Sequence, residues 1–192
     1  LLLAVALPVV ATGCREQRQD LLLAQAYAPI VFQDVAKSKY AGAADLPLRF
    51  DFDGNQVGDD NWRNFDRVVR GERSGARRAF LYYSVIESET HWFIGYALFY
   101  PQDWDDKWLL KRWRQHENDL EPLLVVVEKT SDDPLGRMVL LETQAHDQFY
   151  AYGDPAQVGP GVLRLSGPIQ RTGRHPRVFV EAKGHGCYGH HE

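Results

Sequence analysis

Two apolar, aromatic-rich runs, Ala79–Ile86 (AFLYYSVI) and His91–Tyr100 (HWFIGYALFY), flank the polar stretch Glu87-Ser88-Glu89-Thr90. Side chains of this kind pack well on a pleated surface, and a short polar break between two such runs specifies a β-hairpin. The pattern continues along the chain. Leu123–Glu128, Arg137–Glu142, Val162–Ser166 and Arg177–Glu181 are further short strand candidates, separated by the turns Asp132–Gly136, Gly153-Asp154-Pro155 and Gly159-Pro160-Gly161. Tyr27–Phe32 reads as an edge strand with Pro29 near its start. Leu48–Asp53 alternates apolar and polar residues before a turn at Gly54-Asn55. Arg63–Arg78 is polar and basic and reads as loop. Many short strands without β-α-β alternation imply a mainly β chain, an antiparallel β-sandwich with a short helical insert at Trp104–Gln115.

The 192 residues suffice for one domain, and neither a repeat nor a low-complexity tract divides them. A formal charge of −4 is too small to point to nucleic acid or an anionic membrane surface as partner. The first thirteen residues, LLLAVALPVVATG, carry no charge and are too short to span a bilayer. They match the apolar part of a clipped signal peptide (1–13). Ala11-Thr12-Gly13-Cys14 resembles a bacterial lipobox, which makes Cys14 the candidate lipidation site and a lipid anchor the only expected membrane contact. With Arg15 rather than Asp after the Cys, the expected location is the outer membrane or cell surface. A buried N-terminal strand, or an ordinary signal with an incidental cysteine, are the alternatives. Residues 14–25 then form a tether, with a short helix through Leu21–Ala26, and 26–192 form the domain, expected to continue beyond the given C-terminus. The only other cysteine is Cys187, so no disulfide framework is expected; a Cys14–Cys187 bridge competes only without lipidation.

The chemistry concentrates in Tyr96–Glu121 (YALFYPQDWDDKWLLKRWRQHENDLE). If the strand that follows enters the sheet near Glu121, a period of two puts Asp119 and Glu121 on one face. His116 joins them from the preceding loop and Asp103 from the end of the neighbouring strand. One imidazole and three carboxylates form an oxygen-rich donor set that suits Mg²⁺, Ca²⁺ or Mn²⁺ better than Zn²⁺. The competing explanation is a surface salt-bridge network with Lys107, Lys111, Arg112 and Arg114. A second acidic cluster, Asp51–Asn61, lacks the spacing of a calcium loop and is explained by Asx turns. His146 and His185, each at a strand end, are candidate general acid–base groups, with His91 a weaker one. No serine-nucleophile elbow, zinc-protease helix, phosphate-binding loop or dinucleotide fingerprint is present.

His116-x-x-Asp119-x-Glu121 resembles the H-x-x-D-W-E heart of the necrosis- and ethylene-inducing (NPP1-type) proteins, whose signature reads G-H-R-H-D-W-E. Tyr96-Ala97-x-x-Tyr100-Pro101-Gln102-Asp103 is similar to their Y-x-P-K-D segment. The resemblance implies a divalent cation held at Asp103, His116, Asp119 and Glu121. A wider resemblance, over most of the domain, is to the Vps62-like (vacuolar protein sorting 62) proteins. It rests on Tyr27–Pro29, His116–Glu121 and Lys183–Tyr188. Leu120, Gln115 and Glu117 depart from the NPP1-type signature, and the Trp104–Gln115 insert is longer. These departures argue against plant-membrane toxicity. The expectation is a surface lipoprotein that binds a glycan or a polar lipid headgroup through a protein-held cation. The alternatives are a metal-dependent hydrolase of phosphoesters or glycosides using His146 or His185, and a structural protein with a stabilising ion.

Overall fold

The computed structural model describes residues 12–37, 39–72, 75, 77–104, 115–159, 161 and 163–190, with the side chains of 12–16 and 39–41 left aside. Two sheets face one another. The larger is a six-stranded sheet in the order β2-β3-β4-β5-β6-β7, formed by β2 (Tyr82–Glu87), β3 (His91–Gln102), β4 (Glu117–Glu128), β5 (Arg137–Ala145), β6 (Gln148–Gly153) and β7 (Leu165–Gly167). The smaller has β9 (His175–Val180) between β1 (Ile30–Gln33) and β10 (Cys187–Tyr188), with β8 (Arg171–Thr172) also pairing β9. Most pairings are antiparallel, as the short turns require, but β1 pairs β9 and β6 pairs β7 in parallel. The architecture is the β-sandwich the sequence pattern implies.

The inner faces follow the alternation of the strands. Ile94, Tyr96, Leu98 and Tyr100 of β3 meet Leu123, Val125 and Val127 of β4 and Val178 and Val180 of β9 in one buried cluster. The helix α1 (Thr12–Ala26) adds Leu23 and Ala24, and Tyr27 follows. This helix begins well before Leu21, and its last turn belongs to the core. Arg174 locks the junction by donating to the Tyr27 hydroxyl and the Gly136 carbonyl while pairing with Asp133.

The second core cluster differs from expectation. Residues 61–69 form a helix, α3 (Asn61–Val69), rather than loop. Its buried face is Asn61, Asn64, Phe65 and Val68, which is half polar and therefore hides the helical period. Leu48–Asp53 is not a strand either: residues 50–53 turn, and Asp53 is buried accepting hydrogen bonds from the Asn55 and Asn64 side chains at 2.8 and 2.5 Å. Asn55 and Val57 N–H groups close Asx turns on Asp53 and Asn55. With α2 (Lys39–Ala44), these segments cover Phe99 on the outer side of β3. The end of β3 is thus buried on both faces, and the candidate site lies beside it.

Candidate functional site

The β3–β4 register positions the acidic residues. Tyr100 pairs with Asp119, Leu98 with Glu121 and Gln102 with Glu117. The ladder extends one step, where Asp103 N–H donates to the His116 carbonyl at 2.9 Å. Asp119 and Glu121 are both buried and Leu120 between them is exposed, so the two carboxylates share the inner face. β4 starts at Glu117, four residues earlier than the sequence suggests. A left-handed Asn118 (φ 63°) turns the chain into it. That residue is held from both sides, accepting from Asn61 Nδ2 at 2.7 Å and donating to the Gly58 carbonyl at 2.6 Å.

His116 reaches the group through one partner. Its Nε2 lies 3.3 Å from Asp103 Oδ2, and its side chain is 55% exposed. His185 occupies the opposite, closed side. Its side chain is 0% exposed, its Nδ1 lies 2.8 Å from Asp119 Oδ2, and its Nε2 lies 3.2 Å from Asp45 Oδ1. The Tyr100 ring stacks on it at 3.7 Å, and the Tyr100 hydroxyl donates to Gln33 Oε1. Asp45 is further satisfied by the N–H groups of Ala36 and Lys183, both at 2.7 Å. His146, 61% exposed, has its Nε2 2.6 Å from Glu181 Oε1. Lys183 and His185 both take positive φ, and the Lys183 carbonyl accepts from Trp104 N–H, so this turn seats the imidazole against β3.

Burial of ionisable groups is the dominant electrostatic feature, and crowding of like charge comes second. Burial, and next the negative charge of Asp119, push the Glu121 carboxyl up to about 8 and the Asp103 carboxyl up to about 6. For His185, burial alone disfavours the cation, but hydrogen bonds to Asp119 and Asp45 outweigh it and raise its pKa. For Asp45, burial opposes ionisation, but His185 and the two N–H donors outweigh it and lower its pKa. Burial, and next Glu121 and Asp119, raise the Cys187 thiol, which leaves it no thiolate character.

Of the residues the sequence singles out, Asp103, His116, Asp119 and Glu121 lie at the same end of β3 and β4, with His116 touching Asp103. His185 contacts Asp119 from the closed side, His146 pairs with Glu181 at the rim, and His91 lies at the far end of β3. Among the described residues no group of three His, Cys, Asp or Glu side chains is gathered closely enough to hold an ion as the side chains stand. Residues 105–114, including the basic side chains of the competing salt-bridge network and most of the Trp104–Gln115 insert, lie outside the described residues. Sequence reasoning missed Asp45 and Glu181. Glu181 ends a legible strand, but nothing around Asp45 marks it, because its partner is 140 positions away.

Two facing sheets with an acidic patch at one end of β3 and β4 define a two-sheet β-sandwich. The chain is similar to the solved structure described as "NLPPya in complex with mannosamine", with a TM-score of 0.52 and 15% identity over 88% of this chain and 66% of that one. A structure described as "Toxin fold for microbial attack and plant defense" gives 0.45 and 13% over 85% and 63%. That of Necrosis and Ethylene inducing Protein 2, from the causal agent of cocoa's witches broom disease, gives 0.42 and 14% over 93% and 66%. At these identities the likeness is one of fold, carried by the first structure. The chain spans just under two thirds of the length of these relatives. No family model and no curated protein matches the sequence.

Proposed function

We propose that this chain is a glycan-binding module in which Asp103, His116, Asp119 and Glu121 hold a divalent cation, Mg²⁺, Ca²⁺ or Mn²⁺. One observation carries the reading: the β3–β4 register brings Asp103, Asp119 and Glu121 to the same end of the two strands, largely out of solvent, where burial and mutual repulsion raise the pKa of Glu121 and Asp103. That arrangement is costly for packing alone and suits an oxygen-preferring ion. The donors fit in kind. They would have to draw together by side-chain rotation, which the exposed His116 can follow. Asp119 stays oriented meanwhile by His185 on the far side, the outer-shell role that ligating carboxylates need. When bound, the ion supplies a positive centre able to coordinate vicinal hydroxyls or a phosphate. A complex of a fold relative with mannosamine favours sugar over lipid headgroup as the ligand.

A hydrolase is the second reading, favoured by the exposed His146–Glu181 pair at the rim. His185 is enclosed, with both ring nitrogens engaged, so it suits charge balance better than proton exchange with a substrate. A structural ion remains a third role for the same donors. The Vps62-like kinship is part of the proposal too, resting on Tyr27–Pro29, His116–Glu121 and Lys183–Tyr188. So is surface anchoring through a lipid on Cys14, which fatty-acid labelling of wild type against Cys14→Ser would decide.

The function is tested by thermal melts with Mg²⁺, Ca²⁺ and Mn²⁺ for wild type and Asp119→Asn, followed by glycan-array binding with and without chelator. Cation-dependent stabilisation and sugar binding, both lost in the variant, support it. Binding indifferent to chelator and to Asp119 would sink the cation-mediated mechanism. Metal-dependent phosphoester turnover lost in His146→Ala would favour the hydrolase.

A further inference from the structure

Among the described residues, no strand lies beyond β2 at its end of the large sheet. The hairpin fixes which of its backbone groups are free. Ser88 N–H donates to the His91 carbonyl at 2.8 Å, so the alternation of an antiparallel ladder turns the backbone groups of Tyr82, Ser84 and Ile86 toward β3. Those of Leu81, Tyr83, Val85 and Glu87 face outward. The edge also runs past the start of β2, because Phe80 N–H donates to the Pro47 carbonyl and Leu48 N–H to that of Phe99. Residues 79–87 thus present one continuous edge.

Exposed edges are usually blunted by shortness, charge, proline or a bulge. The edge strands β7 and β1 are short, with three and four residues. β2 carries none of these devices. Ala79–Ile86 (AFLYYSVI) holds no charge, proline or glycine, and its register with β3 is unbroken from Tyr82 to Glu87. Phe80, Tyr83 and Ile86 are 38%, 46% and 67% exposed. Charge stands only at the two ends, with exposed Arg77 and Arg78 before the run and exposed Glu87 and Glu89 after it. Glu87 already pairs with Lys129.

We propose that this edge pairs with the same edge of a second copy of the chain, antiparallel about a two-fold axis at Tyr83. Outward-facing residues must meet outward-facing residues across such a pair. The register that sets Tyr83 opposite its own copy therefore sets Leu81 opposite Val85 and Arg77 opposite Glu89 of the second copy. Opposite charges directly across two strands stabilise the pairing. A parallel pairing would instead set arginine beside arginine and glutamate beside glutamate, and an uncharged foreign strand would leave both ends without partners. The two-fold arrangement uses the edge up, so assembly closes at the dimer. β3 and its copy then run antiparallel, which points the two acidic clusters to opposite ends of one continuous sheet. Such a dimer suits bridging two ligands, a consequence that alone rests on the proposed function.

The test is sedimentation velocity over a wide concentration range, with amide exchange, on the full chain. A reversible monomer–dimer equilibrium is expected. Dimerisation should slow exchange at Tyr83 and Val85 roughly ten-fold or more, while Ser84 and Ile86, bonded to β3 in either state, stay unchanged. Tyr83→Pro removes an outward N–H and no bond to β3, so it should raise the dimer dissociation constant roughly ten-fold or more with little change in the monomer's melting temperature. Arg77→Glu and Glu89→Arg should each weaken the dimer roughly three- to ten-fold, and the double variant should restore it. A chain that stays monomeric throughout overturns the proposal, as does a dimer indifferent to Tyr83→Pro and to the charge exchange. Growth into larger assemblies that Tyr83→Pro abolishes overturns it too, because the edge would not close on itself. None of these substitutions should alter cation-dependent stabilisation, and Asp119→Asn should leave the dimer intact, so either reading can fail without the other.

Discussion

His185 holds Asp119 from the closed side of the sandwich, ring Nδ1 to carboxylate Oδ2 at 2.8 Å, while its other nitrogen serves Asp45. The three groups form one buried ionic unit, in which the imidazolium is the shared counter-charge. Removing it leaves two buried acids facing each other. His185→Leu should therefore cost about 3–5 kcal/mol, the loss typical of breaking one side of a buried ion pair. Urea unfolding measures it. Adding Asp119→Asn should recover part of the loss, because Asp45 keeps its two backbone donors. A double variant less stable than the single one would contradict this account.

Asn118 works on the open side. Its left-handed backbone starts β4 and its amide joins α3 to the turn at Gly58. Asn118→Ala loses two hydrogen bonds and keeps an unfavourable φ. It should destabilise by about 2–3 kcal/mol, with Asn118→Gly closer to the wild type because glycine accepts that φ. Cation affinity should fall in the alanine variant as well, since the same bend aims Asp119 inward.

Tyr27 gives a test of how the N-terminal helix is docked. Its hydroxyl hydrogen is offered to the Leu135 and Gly136 carbonyls while its oxygen accepts from Arg174. Burial, first of all, raises its pKa, so it stays a donor throughout the working range. Tyr27→Phe should cost about 1–2 kcal/mol and speed amide exchange in Leu23–Ala26 before it affects β3.

What the sequence discloses follows from the range of each interaction. The hairpin, the shared face of Asp119 and Glu121, and the Asx turns at Asp53 and Asn55 depend on neighbours within a few positions or on the period of two. All three are legible. α3 is not, because Asn61 and Asn64 occupy half its buried face. Leu48–Asp53 shows a strand's alternation, but Asp53 spends its carboxylate on Asn55 and Asn64 and bends the chain instead. The Asp45–His185–Asp119 unit is the least legible part. Its members come from three distant segments, and no local pattern distinguishes a histidine enclosed by two acids from one on a surface turn.

Glu121 gives the acidic cluster a measurable pH signature. Its pKa rises from an ordinary 4.5 to about 8 on folding, through burial first and Asp119 second, and that of Asp103 from 3.8 to about 6 for the same reasons. The unfolded chain restores the ordinary values. Between about pH 4 and about pH 8 the folded chain therefore binds more protons than the unfolded one, and stability must fall as pH rises. His185 adds the same sign: its raised pKa contributes fully below the ordinary value of 6.5 and is lost as pH climbs through the folded value. Asp45 has the opposite sign, but its lowered pKa places its transition at the acid end. In chelator the melting temperature should thus decline from about pH 5 to about pH 8, and Glu121→Gln should flatten the upper part of the decline. A divalent ion competes with protons for these carboxylates, so it should raise the melting temperature more at the alkaline end of this range than at the acid end. An unchanged slope in Glu121→Gln would mean that this carboxyl is ionised in the folded chain, and the case for crowded acids awaiting an ion would lose its main support.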